Sequence, residues 1–249
     1  MLKKQIKQIK KSKKGFTLLE LLIVIAIIAI LSVVIIFVLN PAETLKKSRD
    51  SQRIADLNTL KTALGIYLTT VAAPDLDAAI AACFGIGPPV VTTAKISYSK
   101  AQAADPACPV NVVEGTDVTA GGAFDDADMC RATLAANNSL VDGTGWAPVA
   151  LTSIVGGSPI SNLPLDPVNS VSGVGGIAPV STDLVYRYAC QGTATAPAPA
   201  NVFEVDAVLE SAAFGPGGTD DKSASDGGDN AVYYEVGTSL RLIGGGVNF

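Results

Sequence analysis

The sequence predicts an α+β chain: a long N-terminal α-helix, membrane-spanning in its first half, packed on a small C-terminal antiparallel β-sheet. Three observations predict it. From Leu18 to Leu39 every residue is apolar except Glu20 and Ser32, and about twenty apolar residues in helical form cross a bilayer core of roughly 30 Å. Beyond Pro41, apolar side chains recur at three- and four-residue steps, the stripe of an amphipathic helix. Near the C-terminus, runs of apolar and polar residues alternate with a period of two, the pattern of strands with one buried face.

Residues 1–15 form a leader. It holds seven lysines, Lys3, Lys4, Lys7, Lys10, Lys11, Lys13 and Lys14, and no acid. Such a cluster beside a span keeps the N-terminus in the cytoplasm. Losing the leader takes the net charge from −5 to −12, and an acidic exterior argues against direct nucleic-acid binding, which needs lysine and arginine on the phosphates. Residues 16–40 are the membrane and assembly helix. The run is too long for an ordinary secretory signal, and no small-x-small cleavage site follows it. Glu20 near its start is the anomaly, because a carboxylate in hydrocarbon is costly and normally has a named partner. A cut after Gly15 would expose an α-amino group on Phe16. That amine neutralises Glu20 within one chain or between neighbouring copies, and the second arrangement makes Glu20 a register device.

Lys14-Gly15-Phe16-Thr17-Leu18-Leu19-Glu20 followed by the apolar run resembles the class III signal and N-terminal helix of type IV pilins and type II secretion pseudopilins. The resemblance implies a pilin-like fold. It also implies cleavage between Gly15 and Phe16 by a prepilin peptidase, N-methylation of Phe16, and pairing of Glu20 with the N-terminus of an adjacent subunit. The further partners it implies are identical or related pilin subunits, a platform membrane protein and an assembly ATPase. The localisation that follows is the cytoplasmic membrane, single-pass, before assembly, and an extracellular or periplasmic filament after it.

Asn40-Pro41 interrupts the helix, since proline removes a backbone bond. Pilins also carry helix-breaking prolines, most usually a few residues earlier, at the position of Phe37. Residues 41–73 are the amphipathic second half, with the stripe Leu45, Ile54, Leu57, Leu60, Leu64, Tyr67, Leu68 and Val71. Lys46, Lys47, Arg49 and Arg53 cluster just beyond the span, facing anionic lipid, acids of a neighbouring subunit, or solvent. Residues 74–145 read as a variable, disulfide-linked loop region, with a short helix over 75–84, a strand over 90–98 and a helical turn or two over 129–136. Residues 146–249 hold the sheet: strands over 184–190, 201–210, 231–236 and 239–243. Before them, Leu163-Pro164-Leu165-Asp166-Pro167 resembles the proline-flanked turn of major pseudopilins. Its role is structural, because two prolines fix an extended entry and a turn.

The chain has no histidine, which removes Ser-His-Asp and Cys-His catalysis and histidine-ligated zinc. No glycine-rich phosphate loop and no activated serine is evident. The expectation is therefore no enzyme and no catalytic residue. Cys83, Cys108, Cys130 and Cys190 lack C-x-x-C spacing. An even count outside the membrane suggests two disulfides in one of three connectivities, and sequence proximity favours Cys83–Cys108 with Cys130–Cys190. No cofactor is required. The one candidate is calcium in the loop holding Asp220, Asp221, Asp226 and Asp229, because major pseudopilins carry a calcium site near the C-terminus. Oxygen-rich loops suit that ion, although the same residues also make ordinary solvated turns. The functional expectation is a structural subunit of a type IV pilus-like extracellular filament. The alternatives are a pseudopilin of a type II secretion-like machine and a membrane-tethered adhesive or ligand-binding module.

Overall fold

A computed structural model describes residues 15–77, 83, 96–100, 129–131, 137–171, 183–191, 201–240 and 242–243. The chain divides into two compact units, Met1–Thr44 and Leu45–Phe249.

In the first unit, α1 spans Leu18–Leu39 and is followed by the start of α2, Pro41–Thr70. The break falls where the sequence places it. Asn40 adopts the left-handed conformation (φ 36°), which asparagine tolerates better than most residues. Pro41 then takes the first helical position, where its missing N–H costs nothing. Asn40 caps the new helix, its Oδ1 accepting from Glu43 N at 3.4 Å and its carbonyl from Thr44 N at 3.2 Å.

In the second unit, α2 buries Leu57, Leu60, Ala63, Leu64 and Tyr67, one face of a 3.6-residue repeat. The helix ends at Thr70, with a last bond from Val71 N to Tyr67 O at 3.1 Å, shortly before Pro74. The buried face packs with Trp146, Val149, Leu151 and Leu163 and with the sheet residues Tyr186, Tyr188, Phe203, Val205 and Val236. The strands are β1 (Ile96–Tyr98), β2 (Met129–Arg131), β3 (Tyr186–Gln191), β4 (Val202–Val208) and β5 (Tyr233–Gly237), in the order β2-β1-β3-β4-β5. The pairs β1–β3, β3–β4 and β4–β5 are antiparallel, and β2 joins the edge in parallel. This is an α+β architecture of the pilin-like kind.

Three local expectations are corrected. Met129–Arg131 is a strand, not a helical turn, because it completes hydrogen bonds along β1. Residues 239–243 form no strand where described; Leu242 and Ile243 instead turn over the sheet. The sheet is not open on its second face: Ile96, Tyr98, Val185, Ala189 and Tyr233 form a second apolar cluster with Leu242 and Ile243. The strand expected over 90–98 is described from Ile96 onward, and the helix expected over 75–84 lies mostly outside the described residues.

Candidate functional site

The start of α1 is built by one hydroxyl. Gly15, Phe16 and Thr17 are not helical. Thr17 is the N-cap in an extended conformation (φ −81°, ψ 151°), and its Oγ1 accepts a hydrogen bond from Glu20 N at 3.1 Å. Thr17-Leu18-Leu19-Glu20 thus has the T-x-x-E spacing of a capping box. The first helical bond runs from Leu21 N to Thr17 O, at 3.2 Å. Phe16 is 85% exposed, and a Cβ placed on Gly15 would touch nothing within 4 Å. The cleavage position expected from the sequence is therefore non-helical and exposed.

Glu20 lies on the first turn of a helix whose described apolar side chains are all exposed. Its 22 residues give a length of about 33 Å at 1.5 Å per residue. The segment Leu18–Ile35 has a mean hydropathy of 3.2. Ser32 hides its hydroxyl on the Ile28 carbonyl at 2.7 Å, the usual way a helix in an apolar medium satisfies a serine. Among the described residues no salt bridge reaches Glu20.

Residues 10–36 match the family model of the prokaryotic N-terminal methylation motif, the class III signal typical of type IV pilins and pseudopilins. The chain carries a pilin-type N-terminus. The match covers Gly15, Phe16 and Glu20 and ends inside α1. No curated protein and no solved structure matches the chain. A pilin-type motif indicates a structural subunit rather than an enzyme, and one anchored in a membrane before assembly.

Two charged clusters hold the globular unit together, and only fragments of them are evident from sequence. The first centres on Arg53, which α2 turns inward to full burial. Its Nε and Nη2 form a fork on Asp166 Oδ2 and Oδ1 at 2.6 and 3.0 Å, and Nη1 donates to Asp50 Oδ1 at 2.7 Å and Glu210 Oε1 at 2.8 Å. Arg49 makes a second fork on Glu210 at 2.6 and 2.8 Å. The Arg49 hydrogen bond, followed by those of Arg53, holds the Glu210 carboxyl down at about 2. Asp50 also accepts from Glu210 N and Ser211 N, and Asp166 from Val168 N and Asn169 N. The expected basic face thus splits. Arg49 and Arg53 serve the domain interior, Lys47 is exposed, and Lys46 is half-buried. The structural role expected of Asp166 is observed.

The second cluster lies between the sheet and its second apolar layer. Glu204 and Asp206 on β4, Arg187 on β3 and Glu235 on β5 are all buried. Alternation along β4 marks Glu204 and Asp206 as outward-facing, but the folded-over segment at Leu242 covers them. Arg187 Nε donates to Asp206 Oδ1 at 2.5 Å, and its guanidinium stacks 3.5 Å above the Tyr233 ring. Burial pushes the Asp206 carboxyl up to about 6 against the pull of Arg187. Glu204 Oε2 accepts from Leu242 N and Ile243 N at 2.7 and 3.0 Å, and Glu235 Oε2 accepts from Asn230 N at 3.1 Å. The two Oε1 atoms are buried and find no protein donor among the described residues. A proton held between the two carboxyls satisfies both; burial raises both above the usual carboxylate range, followed by the charge of Glu204 for Glu235 and, more weakly, that of Asp206 for Glu204.

Cys83 is bonded to Cys190. This overturns both favoured pairings, Cys83–Cys108 and Cys130–Cys190. Residue 190 points to the helix side of β3, and Cys83 packs against that same core; sheet position outweighs closeness in sequence. Cys130 lies in β2, and Cys108 lies outside the described residues. Each of the four candidate aspartates has its own local surroundings. Asp220 pairs with Lys222 at 2.7 Å. Asp221 accepts from Ser223 Oγ, Gly217 N and Ala224 N. Asp226 accepts from Gly228 N and Glu235 N. Asp229 lines a half-open cavity of about 280 Å³ with Gly227, Gly228, Ser239 and Leu240. Among the described residues no group of three or more Cys, Asp or Glu is placed to hold a metal ion.

Proposed function

We propose that this chain is the structural subunit of a type IV pilus-like extracellular filament. The observation that carries the reading is the coincidence of an exposed, non-helical Gly15–Phe16 step with Glu20 on the first turn of a helix whose described apolar side chains are all exposed. After leader removal and N-methylation of Phe16, helices of neighbouring copies bury one another's apolar surface. Between apolar surfaces in lipid no hydrophobic force selects a register, so the meeting of Glu20 with a Phe16 amine selects it. A prepilin peptidase, a platform membrane protein and an assembly ATPase complete the system. The extent of the exterior part, residues 74–249, favours a pilus over a minimal secretion pseudopilin.

The test is Glu20→Ala in the native host. The variant is expected to enter the membrane normally and to yield no filaments by electron microscopy; normal filaments would overturn the register argument. Intact mass of the wild-type chain supplies the second arm. A mature chain starting at methylated Phe16 supports a filament subunit, and a retained leader supports a membrane-tethered module instead.

A further inference from the structure

We propose that residues 242–243 form a pH-gated strap: Leu242 and Ile243 close the second face of the sheet while a proton lies between Glu204 and Glu235, and lift from that face when the proton leaves. The proposal concerns the globular unit alone and does not rest on the filament-subunit reading.

The geometry follows from the register of three strands. Arg187 on β3 lies opposite Asp206 on β4, and Asp206 lies opposite Glu235 on β5, so the three side chains form one row across the second face. Glu204 stands two residues along β4, opposite Gly237, which offers it no side chain. Its cover comes from the strap instead. Leu242 N and Ile243 N both donate to one oxygen, Glu204 Oε2, at 2.7 and 3.0 Å. The side chains of Leu242 and Ile243 are buried in the cluster of Ile96, Tyr98, Val185 and Tyr233. Two backbone donors on one oxygen favour an ionised Glu204. Its other oxygen, Oε1, is buried without a donor, and so is Glu235 Oε1. The two carboxyls lie in hydrogen-bonding contact. Glu235 therefore holds a proton and donates it to Glu204, while its own Oε2 accepts from Asn230 N at 3.1 Å.

Losing that proton sets two like charges side by side in a poorly solvated space. Among the described residues the other titratable groups facing the pair are Asp206, Arg187, Tyr233 and Asp226, whose Oδ2 accepts from Glu235 N at 2.8 Å; Arg241 lies outside the described residues. Arg187 is the one cation of this set. It is committed to Asp206 and stacked over the Tyr233 ring, so it does not offset a second anion. Water has to reach the pair instead. Parting β4 from β5 would break a ladder of five residue pairs. Lifting the strap breaks the two bonds to Glu204 and leaves both strands paired, and it opens Glu204 itself to solvent. The sign follows from proton linkage. The closed form binds the extra proton, so rising pH favours the open form. Burial holds both carboxyls above the usual carboxylate range, which keeps the strap closed at lower pH.

The experiment uses the detergent-solubilised full chain with isotope-labelled isoleucine methyls, titrated from about pH 6 to about pH 10 by NMR. The Ile243 signal is assigned by its loss in Ile243→Val. In the wild type that signal is expected to move from its buried position toward that of an exposed isoleucine as pH rises above neutral, and to return when pH is lowered, with Trp146 emission unchanged. Glu235→Gln puts a permanent N–H donor where the proton sits, and its Ile243 signal should hold the closed position throughout. Glu204→Gln limits the pair to one charge and should stay closed as well; it carries the test if Glu235→Gln does not fold. A wild-type signal that never moves would overturn the proposal, and so would a signal that moves in either folded variant as it does in the wild type. A wild-type signal that moves only together with Trp146 emission would also overturn it, because the whole unit would then be unfolding.

Discussion

Replacing Arg53 with methionine removes the cation on which three carboxylates converge while leaving a side chain of similar length in the same space. Two of those carboxylates, Asp50 and Asp166, are fully buried at their side chains, and Glu210 is 13% exposed. Deleting one partner of a buried ion pair costs about 3–5 kcal/mol, because the other charge stays in a poorly solvating interior. The structure places this case at the low end. Each orphaned aspartate keeps two backbone N–H donors, Glu210 N and Ser211 N for Asp50, Val168 N and Asn169 N for Asp166, and Glu210 keeps its fork with Arg49. The expected loss is therefore about 3 kcal/mol, which for a domain of this size corresponds to a fall of about 6–12 °C in Tm. The assay is thermal unfolding of the detergent-solubilised full chain followed by tryptophan fluorescence. Trp146 is the sole tryptophan and is fully buried in the main core, so its emission reports loss of packing in this unit. Adding Asp166→Asn to Arg53→Met should recover about half of the loss, since it removes one of the stranded charges. A Tm within about 2 °C of wild type for the single variant would show that the network carries no net stability, and would refute the reasoning.

The Glu204–Glu235 pair makes stability depend on pH in the opposite sense to an ordinary carboxylate. Both pKa values are raised on folding, so the folded state binds more protons, and stability falls as pH rises above the unfolded glutamate value of about 4.3. Glu235→Gln should flatten that decline and raise Tm at pH 9, as read by the same fluorescence; an unchanged slope would place the proton elsewhere. At the acid end Glu210, lowered to about 2, gives stability that is complete above about pH 4.3 and fades as pH falls toward 2. Reducing the Cys83–Cys190 bond, or substituting Cys83→Ser, should cost about 2–5 kcal/mol, because the bond closes a loop of 107 residues; a Tm unmoved by reductant would show that the bond does not form. Millimolar calcium is expected to leave Tm unchanged, given the separate engagements of Asp220, Asp221 and Asp226, whereas a rise that saturates with calcium would identify the loop as a binding site.

The parts that were legible from sequence are those where one local rule suffices. Composition alone marks α1, Asn40-Pro41 marks its end, and the stripe over Leu57, Leu60, Leu64 and Tyr67 marks the buried face of α2. Alternation finds β3 and β4 but misassigns their second face. Alternation says only that Glu204 and Asp206 share a side, and it cannot say that Leu242 and Ile243 will fold over that side. Arg53 is hidden for a similar reason. Flanked by Asp50, Asp56 and Lys61, it reads as part of a solvated face, and the partners that draw it inward lie 113 and 157 residues away in Asp166 and Glu210. The disulfide fails from the same cause, since closeness in sequence says little once β3 sets which cysteine faces the core.

The two kinds of buried or apolar-embedded charge in this chain answer to different physics. Within the globular unit every acid in the Arg53 network already has its donors, so that network fixes one packing of α2 against the Asp166 turn and the Glu210 segment and needs nothing further. Glu20 is otherwise: its own backbone N–H is used by Thr17, and no cation meets its carboxylate among the described residues. The described apolar side chains around it are exposed as well; each leucine or isoleucine of α1 left in water forfeits about 1.5–3 kcal/mol of burial. A bilayer supplies the missing apolar contact but leaves the carboxylate unmatched. A second processed copy supplies both at once, an apolar helix and an amine at the same end, and that double match is the physical reason to expect this helix to assemble rather than merely to anchor.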